Sequence, residues 1–139
     1  MGDLLIRGGK VVTARKTSVA SVYVKDGRIA RVGKFSKVAG EMVEASGLLV
    51  LPGAIDAHVH FALPVAGTRS ADDFVSGSSA AVAGGVTCFI DFTLGSAETS
   101  LPDAVEKRLS QARESLVDYS LHVETVSYTH LTLPTNREV

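Results

Sequence analysis

Apolar and polar residues alternate in short stretches over the first fifty residues of the chain. Segments 21–25 and 28–32 flank Asp26 and Gly27, a pair typical of tight turns between antiparallel strands. Further short strands are predicted at 4–7, 10–13 and 48–51. The pattern therefore predicts a small layer of β-sheet in this part of the chain.

After Pro52 the pattern favours longer buried strands. Strands are predicted at 54–60, 86–92 and 119–124, and segment 86–92 is apolar almost throughout. Continuous apolar strands are typical of parallel sheets that are covered on both faces.

Two helices are predicted between these strands. Polar residues at 70–73 include N-cap candidates for a helix that runs to about Ala83 and ends at a pair of glycines. Ser100 opens a second helix over about 101–115, which carries Leu101, Val105 and Leu109 on one face. The order β-α-β-α-β predicts an α/β fold with a parallel sheet.

The first of these strands carries two histidines, His58 and His60. Residues two apart on a strand point to the same face, so two imidazoles could bind one divalent metal ion together. Asp56 has the same parity and could orient a histidine ring through a hydrogen bond. A pair of histidines at this spacing is by itself a weak signal, since hydrogen-bonded structural histidines are also common.

Several motifs in the correct order resemble one protein family. Residues 51–60, LPGAIDAHVH, resemble the metal-binding signature of the amidohydrolase superfamily. The resemblance continues toward the dihydropyrimidinases and hydantoinases in five further segments: LIRGG at 5–9, DGRI at 26–29, GTRSADDF at 67–74, AGGVT at 83–87 and IDF at 90–92. DYSLH at 118–122 also matches their third barrel strand, so the resemblance covers about residues 4–125.

The resemblance implies part of a TIM-like (β/α)8 barrel, with about three strands and two helices, preceded by part of a small N-terminal β-sandwich. Residues 1–51 are assigned to the β-sandwich and residues 52–125 to the barrel. A complete barrel needs about 250 residues, and this chain has 139 in all. We therefore expect an N-terminal fragment that is inactive alone.

The resemblance also implies a two-zinc centre in which His58 and His60 bind the more buried ion. A hydroxide that bridges the two Zn²⁺ ions would attack the ring carbonyl of the substrate. The family's other ligands, a carbamylated lysine, two histidines and an aspartate, lie on later strands and are not identified in this chain. His122 precedes that lysine and is interpreted as a structural or ligand-supporting residue.

A small cyclic amide or ureide is the substrate class that the resemblance implies, with opening of a dihydropyrimidine or hydantoin ring. The loop after the first barrel strand would shape the substrate pocket through Phe61, Leu63 and Val65. Allantoinase and dihydroorotase are alternative activities. A further alternative is a non-catalytic dihydropyrimidinase-related scaffold protein, although the presence of both histidines argues against it.

The last residues, 126–139, depart from the family pattern. Residues 126–135, VSYTHLTLPT, coincide with one reading frame of a common sequencing-library adapter. We interpret the tail as non-native, so that His130 has no function. A divergent native loop is the alternative.

Composition and charge limit which binding partners and which cellular location are expected for the protein. The net charge of −1 at pH 7 gives no reason to expect nucleic acid or an anionic membrane as a partner. No long apolar run and no secretory signal are visible, and the single cysteine, Cys88, is expected to be a buried hydrophobic residue. A cytoplasmic location is expected, and the family resemblance implies a homo-oligomer, tetramer or dimer, for the full-length protein.

Overall fold

The computed structural model describes residues 3–35, 40–96 and 98–124. The chain divides into two compact units, Met1–Pro52 and Gly53–Val139. The predicted non-native tail at 126–139, including His130, lies outside the described residues.

The first unit is a five-stranded sheet. Its strands are β1 (Leu4–Val12), β2 (Thr17–Lys25), β3 (Arg28–Gly33), β4 (Glu41–Glu44) and β5 (Leu49–Val50). The sheet order is β3-β2-β1-β4, and β5 also pairs with β1. Strands β1 to β3 are antiparallel, whereas β4 and β5 run parallel to β1.

The hairpin predicted between β2 and β3 is confirmed. Asp26 and Gly27 both adopt positive φ, 50° and 74°, as a two-residue turn of this kind requires. The two strands predicted at 4–7 and 10–13 are one strand, because a register shift between Ile6 and Gly9 absorbs Gly8 at φ 69°. Strand β4 was not predicted.

The second unit is built around a three-stranded parallel sheet of order β10-β9-β6. Its elements are β6 (Ala54–Asp56), β7 (Pro64–Val65), β8 (Thr68–Arg69), α1 (Phe74–Ala83), β9 (Val86–Phe92), α2 (Leu101–Ala112) and β10 (Asp118–His122). The predicted parallel sheet and both helices are confirmed. Strands β7 and β8 form a short antiparallel hairpin that was not predicted.

Helix α1 begins and ends where its sequence predicts. Asp73 is the N-cap and accepts hydrogen bonds from the N–H groups of Val75 and Ser76, while the Ser76 hydroxyl bonds the Asp73 N–H. This reciprocal arrangement is a capping box. Gly84 closes the helix, and Gly85 follows at φ 82°.

Helix α2 differs from its prediction in length and in buried face. Ser100 caps it as expected, but the helix ends at Ala112 instead of about residue 115. Its buried residues are Ala104, Arg108 and Ala112, whereas Leu109 on the predicted apolar face is 41% exposed.

Aromatic side chains form the core of the second unit. Phe74 and Phe89 are buried together with Ala112, and Val59, Phe61, Val117 and Tyr119 pack against them. The Phe61 ring lies so close to Gly77 that a Cβ atom there would approach Phe61 Cε1 to 2.1 Å. Cys88 is half-buried. No helix in the described part of the chain is long and apolar enough to cross a bilayer.

Candidate metal centre

The predicted strand over 54–60 is shorter in the structure, since β6 ends at Asp56. His58 and His60 therefore lie in an irregular segment that follows the strand at the carboxyl edge of the parallel sheet. One main-chain bond still ties this segment to β9, because the Val59 N–H donates to the Ile90 carbonyl at 3.1 Å. The carboxyl edge of a parallel sheet is where ligands and catalytic groups gather in α/β folds.

Three further main-chain groups of this segment contact side chains. Asp56 Oδ1 accepts from the His58 N–H at 3.2 Å, and His122 Nε2 lies 3.1 Å from the Ala57 carbonyl oxygen. The Phe61 carbonyl accepts from Arg108 Nη2 at 2.5 Å. The observed contact of Asp56 is thus to the main chain, where the prediction had it orienting an imidazole ring.

Three imidazoles surround the Phe92 ring at the end of β9. The ring centroids of His58, His60 and His122 lie 4.6, 4.9 and 4.9 Å from that of Phe92. The His58 and His60 centroids are 5.0 Å apart and their planes are nearly perpendicular. All three histidines are exposed at this edge of the sheet, and the Nε2 atom of His122 contacts the Ala57 carbonyl.

The described residues do not form a complete metal site. No group of three or more histidine, cysteine, aspartate or glutamate side chains in the described ranges is arranged to hold an ion. Two imidazoles fit a metal ion chemically, since neutral histidine nitrogen is a common ligand of zinc. A zinc site in a protein has three or four protein ligands, so further ligands are needed.

The three predicted pocket residues occupy different environments. Phe61 packs in the core, with its ring centroid 4.9 Å from that of Phe89 and 5.7 Å from that of Phe74. Leu63 is half-buried, and its N–H donates to the Ser70 hydroxyl at 2.8 Å. Val65 is 52% exposed at the tip of the β7–β8 hairpin. Only Leu63 and Val65 are thus placed on the loop surface.

A cavity of about 300 Å³ lies beside this loop. Its lining includes Ala62, Pro64 and Arg69 from the loop and Lys107 and Arg108 from α2, but none of the histidines. Ala62 adopts φ 46°, in a region that residues other than glycine rarely occupy. Hydrogen bonds from the Ala62 N–H to the Asp72 carbonyl, 2.7 Å, and from the Ser70 N–H to the Leu63 carbonyl, 2.8 Å, hold the loop closed.

An ion pair is buried next to the segment that carries the histidines. Arg108 Nη2 lies 2.5 Å from Asp91 Oδ2, and the two side chains are 2% and 0% exposed. The contact is close but poorly aligned, so neither Asp91 oxygen has a well-formed hydrogen bond within the described residues. Burial raises the pKa of Asp91, and the Phe92 N–H and the Arg108 guanidinium oppose that rise.

Comparison with known proteins identifies the family. The sequence model of the Amidohydrolase family matches residues 49–137, which include both histidines and the whole parallel sheet. The match extends over more than half of the chain, and the chain therefore belongs to the Amidohydrolase family. Members of this family are generally metal-dependent.

Individual relatives are similar over most of the chain. A dihydropyrimidinase of Arabidopsis thaliana is 42% identical over 122 residues, 86% of this chain and 23% of the relative. The human dihydropyrimidinase-related protein 5 is also 42% identical, over 123 residues, 86% of this chain and 22% of the relative. A crystal structure of D-hydantoinase from Bacillus sp. AR9 superposes with a TM-score of 0.82 at 40% identity, covering 86% of this chain and 26% of that one.

The chain thus spans about a quarter of the length of the proteins it matches. The fold is that of the corresponding part of a hydantoinase, with an N-terminal β domain followed by the first units of an α/β barrel. The predicted fold class and family are confirmed.

Proposed function

We propose that the full-length protein containing this chain hydrolyses the C–N bond of a cyclic amide of the dihydropyrimidine or hydantoin type. The observation that carries the proposal is the pair of exposed imidazoles, His58 and His60, side by side at the carboxyl edge of an amidohydrolase sheet. The names of the relatives, dihydropyrimidinase and D-hydantoinase, supply the substrate class.

His58 and His60 would bind a metal ion, which we propose is Zn²⁺. When bound, the metal polarises a carbonyl group and lowers the pKa of water, so that a nucleophile is available near neutral pH. The chain's own residues bind and orient. His122 and Asp56 both contact the peptide unit between Ala57 and His58, and the Phe92 ring packs against both imidazoles.

The remaining components of the centre are proposed from the family resemblance. They are a second Zn²⁺, a bridging carbamylated lysine, two further histidines and a proton-shuttling aspartate. A homo-oligomeric state is likewise proposed from the resemblance, and a cytoplasmic location from the single cysteine.

Purified full-length protein tests the proposal directly. We expect zinc-dependent ring opening of dihydrouracil or hydantoin, loss of this activity with a chelator, and recovery when zinc is restored. The 139-residue chain made alone is the internal control. It should show no ring opening, because its described residues bring together fewer than three metal ligands.

A non-catalytic scaffold is the second candidate function. It is favoured by one finding, that the human dihydropyrimidinase-related protein 5 is as similar to this chain as the plant enzyme is. A full-length protein that binds no metal and opens no ring would support the scaffold. Turnover of allantoin or dihydroorotate in preference to hydantoin and dihydrouracil would instead select one of the other cyclic amidohydrolases.

A further inference from the structure

Arg108 is the largest fully buried side chain in the described part of the chain, and only 1% of the whole residue is exposed. It lies on α2, and its guanidinium group sits over the Phe74 ring, 4.6 Å from the ring centroid. A buried guanidinium is strongly disfavoured unless its charge is paired and its donors are satisfied. Asp91 supplies the opposite charge.

Two of the donors of Arg108 bond main-chain carbonyls next to the histidines. Nη2 donates to the carbonyl of Phe61, the residue that directly follows His60, at 2.5 Å. Nε donates to the carbonyl of Phe92 at 3.1 Å. Since the rings of His58 and His60 both pack on the Phe92 ring, one side chain holds both the histidine segment and its support.

The segment has few other connections to the sheet. Strand β6 pairs with β9 only as far as Asp56, and within the described residues the Val59–Ile90 bond is the one main-chain hydrogen bond between the segment and β9 beyond that point. A planar guanidinium with donors in a fixed fork can bridge two carbonyls at a set separation, whereas a lysine ammonium cannot reproduce that geometry.

We propose that Arg108 is a positioning residue, which sets the relative placement of the His58–His60 segment and Phe92 by bridging the Phe61 and Phe92 carbonyls. The role of the histidines as metal ligands rests on the proposed function. The bridge itself is a property of the fold. The alternative is that Arg108 only neutralises Asp91 and fills the core.

Paired substitutions in the full-length protein separate these two roles. Arg108→Met alone leaves Asp91 buried without a counter-charge, so the informative variant is Asp91→Leu combined with Arg108→Met, which removes both charges and the bridge. Arg108→Lys keeps the charge but loses the fork. Arg113→Met is the matched control, because Arg113 is an exposed arginine at the end of the same helix.

The first readout is geometric and needs no metal. In crystals of the metal-free double variant, we expect the His58 and His60 rings to shift relative to Phe92 by more than about 0.5 Å, a displacement that matters for a functional site. Arg113→Met should leave the parent arrangement, with ring centroids 5.0 Å apart, unchanged. Unchanged ring positions in the double variant would overturn the proposal.

The second readout is zinc affinity, measured by competition with a chelator. Loss of a group that orients ligands typically weakens metal binding about 10–100-fold, and we expect this in the double variant even where its thermal stability equals that of the parent. A zinc Kd within about twofold of the parent, at equal stability, would show that Arg108 has only a structural role.

Two outcomes need separate treatment. If the double variant does not fold, the Arg108→Lys variant tests the bridge instead. We expect it to show the same ring displacement and a smaller loss of zinc affinity. Ring positions and zinc affinity equal to those of the parent would overturn the proposal. If the parent itself binds no zinc, the proposed function fails, while the metal-free crystal structures still test the bridge.

Discussion

His58 and His60 were predicted as a pair because period-two spacing on a strand places both side chains on one face. In the structure the strand ends at Asp56, yet the two rings still lie 5.0 Å apart. Asp56, His122 and Arg108 each contact the main chain of this irregular segment. Spacing alone could not show these contacts, since each depends on a residue distant in sequence or on the end of a strand.

Arg108 was missed for a similar reason. In a helical pattern an arginine is assigned to the solvent face, so Leu101, Val105 and Leu109 defined the predicted buried face of α2. The fold instead buries Arg108 between two small residues, Ala104 and Ala112. Asp91 compensates the charge of the buried guanidinium. The IDF segment that contains Asp91 was noted only as a family motif.

Substitution of His122 distinguishes a metal ligand from a residue that supports the ligands. Its Nε2 lies 3.1 Å from the Ala57 carbonyl oxygen, so we expect His122→Asn to retain the zinc of the parent protein. Turnover should fall on the order of tenfold, because the segment carrying His58 is held less firmly. Metal analysis of the purified variant checks this. Loss of zinc at unchanged stability would mean that His122 is itself a ligand.

Ala62 and Val65 bear on substrate choice. Both side chains are small and apolar. We expect a roomier apolar pocket and a higher kcat/KM for hydantoins with bulky apolar substituents. Each added methylene should contribute on the order of 1 kcal/mol. Packing of the loop against the barrel is the competing explanation for these residues.

Measurement of kcat/KM for unsubstituted, alkyl-substituted and aryl-substituted hydantoins decides between these explanations. Val65→Phe should reduce the preference for the aryl substrate, because it fills the same space on the exposed hairpin. A parent enzyme that prefers the unsubstituted ring contradicts the prediction.

At the scale of elements, local signals specified the helix starts well. Asp73 and Ser100 cap α1 and α2 where their sequences predict, because a cap is formed by residues only two or three positions apart. The end of β6 and the β7–β8 hairpin were not predictable in this way. Val65 and Thr68 pair around a turn in which Ala66, which carries no turn signal, adopts φ 49°.

The cap at Asp73 predicts a pH dependence of α1. Hydrogen bonds from the Ser76 N–H and hydroxyl, and from the Val75 N–H, lower the pKa of Asp73 below its ordinary value of 3.8. A carboxyl group whose pKa is lowered by folding stabilises the folded state above its ordinary pKa, and this contribution is lost as the pH falls through the lower folded value. We therefore expect the N-terminal turn of α1 to loosen only below about pH 4.

Amide hydrogen exchange at Val75 and Ser76, corrected for the intrinsic effect of pH, measures this change. Asp73→Asn should remove most of the pH dependence of protection, since an amide does not titrate. Equal acid sensitivity in the parent and in the Asp73→Asn variant would show that another group controls the fraying of the helix.

For the whole molecule, the order of elements and the family could be predicted from the amino-acid sequence. Several motifs of the family occur along this chain in the same order as in the family. The parallel order β10-β9-β6 and an Amidohydrolase match over residues 49–137 agree with that prediction. Completion of the metal site could not be predicted. The chain covers 23% of the dihydropyrimidinase it matches, and the resemblance implies that the other proposed ligands lie on later strands.

We propose that His58 and His60 bind the catalytic metal. This proposal is tested by the zinc content of the full-length protein and of its His58→Ala and His60→Ala variants, measured by elemental analysis alongside thermal unfolding. We predict that each variant folds like the parent, contains less zinc and loses most of its turnover. Zinc content equal to that of the parent in both variants would contradict the assignment of these two histidines as ligands.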